Sequence, residues 1–154
     1  MKKVLLAACL SAVMSGAFAP AALAQDPAQK AQNPSVVRDP DLEKESLHNL
    51  EVARHYFRLK KAYRAALARC EEIIAGDPTF SRLDEVLYLA AMSNLRLSEA
   101  RGKQSASLPP EQLRHEAREY LTRLVTDYPD SDFAKRAKPE LDALGGPATE
   151  GRRP

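Results

Sequence analysis

Few residues of this sequence have the type and spacing that chemistry would need. The three histidines are His48, His55 and His115. His48 and His55 share a helix face but lie about two turns apart, roughly 10 Å. Metal ligation on a helix needs i,i+3 or i,i+4 spacing or a third partner, and neither is present. Cys70 is a candidate thiol, but it falls at a large apolar position of its helix, which predicts a buried hydrophobe rather than a nucleophile. Glu71 and Glu72 are adjacent, and adjacent helical residues do not face one another, so they read as a solvated edge rather than an acid pair. No serine has a nucleophile context and no glycine-rich phosphate loop occurs. The sequence thus predicts no catalytic residue, no metal site and no cofactor.

The elements carrying these residues are amphipathic helices. The central stretch, Val52 to Pro78, reads VARHYFRLKKAYRAALARCEEIIAGDP. Leu42, Leu47, Leu50, Ala53, Tyr56-Phe57 and Leu59 recur at steps of mostly three and four, predicting a first helix capped by Asp39 or Asp41 and running to about Lys60. Tyr63, Ala66-Leu67, Cys70 and Ile73-Ile74 form the stripe of a second helix, with Gly76 as its stop and Pro78 barring continuation. A third helix starts near Ser81, its expected cap, and is apolar nearly all round from Val86 to Ala91, as a sandwiched helix should be. RGKQSASLPP (101–110) is a loop by composition. A fourth helix, Glu111 to about Tyr128, presents Leu113, Ala117, Tyr120-Leu121 and Leu124-Val125. A fifth carries Phe133, Ala137, Leu141 and Leu144, with Pro139 expected to kink or break it. No segment reads as a strand.

The N-terminal residues read as an address. A basic start, an apolar run from Val4 to Phe18 and Ala22-Leu23-Ala24 make a secretory signal peptide over 1–24. Its removal takes away Lys2 and Lys3, so Lys+Arg falls from 23 to 21, equal to the 21 Asp+Glu. A neutral mature chain has no basic excess to release counterions, which argues against nucleic acid as a partner. An alternative is a lipobox, Leu6-Ala7-Ala8-Cys9, in which a lipidated Cys9 would tether the protein to a membrane. The apolar core before Cys9 is shorter than the usual ~7–15 residues, which favours the soluble, exported product. Once Cys9 is removed, Cys70 remains alone and no internal disulfide can form. Residues 25–40 read as a disordered linker, 41–144 as the helical domain and 145–154 as a disordered tail.

Two helix pairs repeat one pattern. Ala66, Cys70, Ile73 and Pro78 are matched in spacing by Ala117, Leu121, Leu124 and Pro129. Ala53 and Ala91 hold the small-residue position of the preceding helices. Ala53 and Ala66 are 13 apart and Ala91 and Ala117 are 26 apart, so the second pair carries an insertion over the 98–112 loop. This pattern resembles the tetratricopeptide repeat. VARHYFRLKKAYRAALARCEEII, VLYLAAMSNLRL and EAREYLTRLVTDYPDSDFAKRA more specifically resemble the BamD-type outer-membrane assembly lipoproteins, over about residues 47–144. Family members carry a lipidated cysteine directly after the signal peptide, where this sequence has Gln25, and they hold about five repeats.

The fold class expected is therefore all-α: a short tetratricopeptide-type solenoid of two helix pairs plus a capping helix. The resemblance implies a periplasmic scaffold that binds protein partners in outer-membrane assembly or envelope biogenesis. The first helices of the pairs would line a concave groove for a protein or peptide, with Leu50, Arg54, Arg58, Tyr88, Met92 and Arg96 on its surface. Alternatives of other classes are a self-associating structural protein, which would be a homo-oligomer, and an accessory module of a cell-wall enzyme.

Overall fold

The computed structural model describes residues 39–148, and within them the chain folds as five α-helices with no strand. The signal peptide, Cys9 and most of the expected linker lie outside the described residues.

Helix α1 (Pro40–His55) starts as its sequence dictates. The Asp39 carboxylate accepts from the amides of Asp41 at 2.9 Å and Leu42 at 3.4 Å, Pro40 opens the first turn, and Asp41 and Glu43 suit the helix dipole. It buries Ser46, Leu50 and Ala53. It then widens into a π-helical turn, Tyr56–Lys60, which periodicity did not foretell. The turn closes on Lys61 at φ 54°, a left-handed position that glycine would hold more easily.

Helix α2 (Tyr63–Gly76) buries Tyr63, Ala66, Leu67, Cys70 and Ile73. Gly76 is not its stop in the expected sense, because it has no left-handed φ. The helix ends because Asp77 leaves helical geometry before Pro78. Asp77 is buried, and its carboxylate accepts from the Ser46 and Thr79 hydroxyls, both at 3.1 Å, so this turn is tied to α1.

Helix α3 (Leu83–Ser98) is buried nearly all round, as its composition requires. Ser81 is not its cap: its hydroxyl and amide are directed to the Glu43 carboxylate of α1. Helix α4 (Pro110–Asp127) turns Leu113, Ala117, Leu121 and Leu124 inward. Helix α5 (Asp132–Ala143) is capped by Ser131, whose hydroxyl accepts from the Phe133 amide at 3.1 Å and donates to Asp84 of α3 at 2.6 Å. Pro139 does not break it. Proline inside a helix costs about 3 kcal/mol, and here burial of Ala134, Ala137 and Leu141 holds the helix continuous across it.

One core joins all five helices, with α3 at its centre. Alanines stand where helix axes approach: Ala53, Ala66, Ala91 and Ala117 are all fully buried. The all-α, tetratricopeptide-like architecture is that expected from the repeat.

Two segments are more firmly held than composition suggested. Gly145 and Gly146 take φ 90° and 82° and close α5, the Gly146 amide reaching the Leu141 carbonyl at 2.9 Å. The Arg118 guanidinium then donates to the carbonyls of Gly146 at 2.6 Å and Pro147 at 2.9 Å, and Ala148 donates to Thr122 at 2.8 Å. The expected disordered tail is thus fastened to α4 as far as Ala148. Residues 149–154 lie outside the described ones.

The insertion between α3 and α4 is docked rather than loose. The Lys103 amide donates to the Lys61 carbonyl at 3.1 Å, and Gln104 Oε1 accepts from the Ala65 amide at 3.1 Å. Gln104 thereby caps α2, which has no side-chain cap of its own. Gly102 makes this approach possible. Its φ is +96°, and a Cβ there would lie 2.6 Å from both the Lys61 carbonyl and the Tyr63 ring. Gly102→Ala is therefore expected to undock the loop and lower stability by roughly 1–2 kcal/mol. Hydrogen exchange at the Ala65 amide checks this: it should rise in the variant while amides at the centre of α3 stay protected.

Candidate protein-binding face

The first helices of the pairs, α1 and α3, and the capping helix α5 follow one another along one side. Contacts with named partners set their spacing. Arg54 of α1 clamps Glu85 of α3, Nε to Oε1 at 2.6 Å and Nη2 to Oε2 at 2.5 Å. This hydrogen bonding raises the Arg54 pKa against the opposing effect of burial. Tyr88 of α3 meets Phe133 of α5, ring centroids 5.5 Å apart, and Arg136 lies over both, 4.8 Å from the Tyr88 centroid and 5.7 Å from that of Phe133.

The six residues expected on this face fare differently. Leu50 is fully buried and Met92 is 5 % exposed, so neither presents a side chain to a partner. Leu50 belongs to the main core. Met92 packs in a small cluster with Leu95 and Ala117, against Phe57, Tyr88 and Leu144. The physical reason is that α3 is enclosed by its neighbours, so positions expected on an open groove lie beneath it. Arg54 is half-buried and its guanidinium is committed to Glu85. Arg96 is half-buried and pairs with Glu99 at 3.3 Å. Tyr88 is half-buried, and Arg58 is exposed with no ion pair among the described residues. Sequence reasoning missed Phe133 and Arg136 as surface partners of Tyr88. Their i,i+3 spacing on α5 was the available signal.

His48, His55 and His115 are exposed on separate turns, His115 facing Glu119 at 3.6 Å. No group of three metal-ligating side chains occurs among the described residues. Cys70 is fully buried, and burial, followed by the charges of Glu71 and Glu85, pushes its thiol up to about 12. Glu71 is exposed, as a solvated edge requires, yet it has electrostatic neighbours. Its carboxyl is raised by partial burial and by Glu116 of α4, against a hydrogen bond with Tyr120 that lowers it. The Tyr120 hydroxyl is pushed up to about 12, chiefly by burial and then by Glu71 and Glu116. Asn94, fully buried, donates to Glu116 at 3.3 Å from beneath.

The raised thiol and phenol carry a pH prediction. Both groups are neutral when protonated, and both hold their proton more tightly in the folded state than at their ordinary values of 9.0 and 10.0. Their contribution is complete below those values and is lost as pH rises toward about 12. Stability should therefore fall progressively from about pH 9 upward. Thermal melts across this range check it, and Cys70→Ala should flatten the slope. At pH 8 the native thiol should resist a water-soluble disulfide reagent and react only on unfolding.

Comparison with known proteins accords with this architecture. A family model described as "YfiO: Outer membrane lipoprotein" matches residues 47–145, which spans both helix pairs, the docked insertion and α5. No curated protein and no solved structure matches the chain. The match covers more than half of the 154 residues and coincides with the helices that build the face; the chain belongs to the YfiO family of outer membrane lipoproteins.

Proposed function

We propose that this protein is a helical-repeat scaffold of the cell envelope that binds a protein partner, in outer-membrane protein assembly or envelope biogenesis, across its α1/α3/α5 face. The observation that carries the reading is the Tyr88–Phe133 ring pair under Arg136, half-buried at the junction of α3 and α5. Aromatic and arginine side chains of this kind anchor protein interfaces, because they bring large contact area and a directed charge at little entropic cost. Arg58 and Arg96 extend the face with cations suited to a partner's carboxylates, while Leu50, Arg54 and Met92 support it from below.

Co-purification from envelope extracts tests the proposal. The wild-type mature chain should retain an envelope protein that the Tyr88→Ala/Arg136→Ala variant loses by at least tenfold, on the scale of about 1.4 kcal/mol or more for a good anchor. Equal recovery by both chains, or none by either, contradicts it.

A second reading concerns the N-terminus. The family description names a lipoprotein, and Cys70 is buried beyond the reach of a lipid-transferring enzyme. Cys9 is the other cysteine of this sequence. Cleavage after Ala24 with release into the periplasm remains our leading expectation. The intact mass of the mature protein separates the two, since Gln25 at the N-terminus means a soluble product and a diacylated Cys9 means a tethered one.

A further inference from the structure

The π-helical turn and the docked insertion bring an unpaired set of cations to one end of the domain, around an exposed leucine. Lys60, Lys61 and Lys103 are all exposed, and none forms an ion pair among the described residues. Leu59 stands among them at 72 % exposure, the most exposed large hydrophobic residue described. Lys103 is not near in sequence. It is delivered by the backbone bond from its amide to the Lys61 carbonyl, which needs Gly102. Glu99, just before the insertion, is already held by Arg96 and Arg101, both at 3.3 Å. Helix α2 begins here without an acidic residue in its first turn, so its positive dipole end adds to the cations instead of being neutralised.

We infer that this tip is a docking surface for an anionic lipid membrane, with Leu59 entering the headgroup region and the cations facing lipid phosphates. The chemistry favours lipid over an acidic protein. A specific protein interface buries roughly 800 Å² on each partner around an apolar centre, and a single exposed leucine provides no such centre. Headgroup phosphates form a mobile array that needs charge but no shape match. Lysine and arginine have apolar stems that lie along such a boundary while their charges stay in the polar layer. Each cation near an anionic leaflet adds about fivefold to partitioning. The inference stands on Leu59 and the three lysines of the tip and not on the α1/α3/α5 face, so either can fail without the other.

Vesicle co-sedimentation of the chain from Gln25 onward tests it. The buried cluster lies wholly between Leu50 and Leu141, within the compact unit that begins at Val36, so removal of the N-terminal segment leaves the core intact. Vesicles of phosphatidylcholine alone are compared with equimolar phosphatidylcholine and phosphatidylglycerol. The expected result is binding to the anionic vesicles only, weakened by salt. Lys60→Glu/Lys103→Glu should lower the partition coefficient by at least roughly 25-fold with an unchanged melting temperature, and Leu59→Asn should lower it without altering the salt dependence. Equal binding to both vesicle types, no binding to either, or an unaffected double variant overturns the inference. So does retention on immobilised polyglutamate without vesicle binding, which would assign the tip to an acidic protein.

Discussion

Arg54→Ala is expected to destabilise the domain by about 3 kcal/mol, because it strands a buried carboxylate. The Glu85 side chain is 5 % exposed and that of Arg54 is 24 % exposed, so the pair is too well sheltered for solvent to replace the lost partner. Arg82 remains 3.6 Å from Glu85, but it is half in solvent and gives a weaker contact, which holds the loss to the lower part of the range for broken buried pairs. Removing both charges should be far milder: Arg54→Leu/Glu85→Leu is expected to recover most of the stability, since two apolar side chains need no desolvated partner. Urea unfolding of the single and double variants checks this. A loss below about 1 kcal/mol for Arg54→Ala would mean that the pair behaves like a surface bridge. The clamp also fixes α1 against α3, so the single variant should loosen the proposed binding face at that junction before the α3–α5 junction is affected.

Leu87→Ala should be the most damaging single truncation, costing about 3–4 kcal/mol. Leu87 is fully buried in the first half of α3, the helix that packs on α2, α4 and α5. Helices on several sides cannot all collapse into one cavity, so little of the lost volume is refilled. The melting temperature should fall by roughly 12–32 °C, taking about 4–8 °C per kcal/mol for a domain near this size. Leu59→Ala is the control: an exposed leucine should shift stability by no more than about 0.5 kcal/mol. If Leu87→Ala melted within a few degrees of wild type, α3 would not be the centre of the core.

The helices were legible because their apolar spacing and small residues are local properties. Ala53, Ala66, Ala91 and Ala117 marked the close approaches, and each is fully buried. What escaped reading depends on partners far along the chain. Ser81 looked like a cap but is engaged by Glu43, 38 residues earlier. Helix α2 lacked a cap until Gln104, 39 residues from Ala65, supplied one. Leu50 and Met92 looked like groove residues because one helix shows its amphipathic stripe but not how many neighbours will cover it. The π-helical turn leaves no periodic trace over five residues, and Pro139 is tolerated through packing that its own segment does not announce. Of the residues on the proposed face, Tyr88 and Arg58 follow from repeat position, whereas Phe133 and Arg136 come from the cap, outside the repeat.

The most direct measurement of the central claim is site-specific photocrosslinking in living cells. A photoreactive residue replaces Arg136 on the α5 side of the face or Arg58 on the α1 side, and, as the opposing control, Thr126 on the outer surface of α4, where it is exposed. The account predicts adducts with an envelope protein from positions 136 and 58 and none from 126. Adducts confined to position 126, or equal at all three, would contradict it.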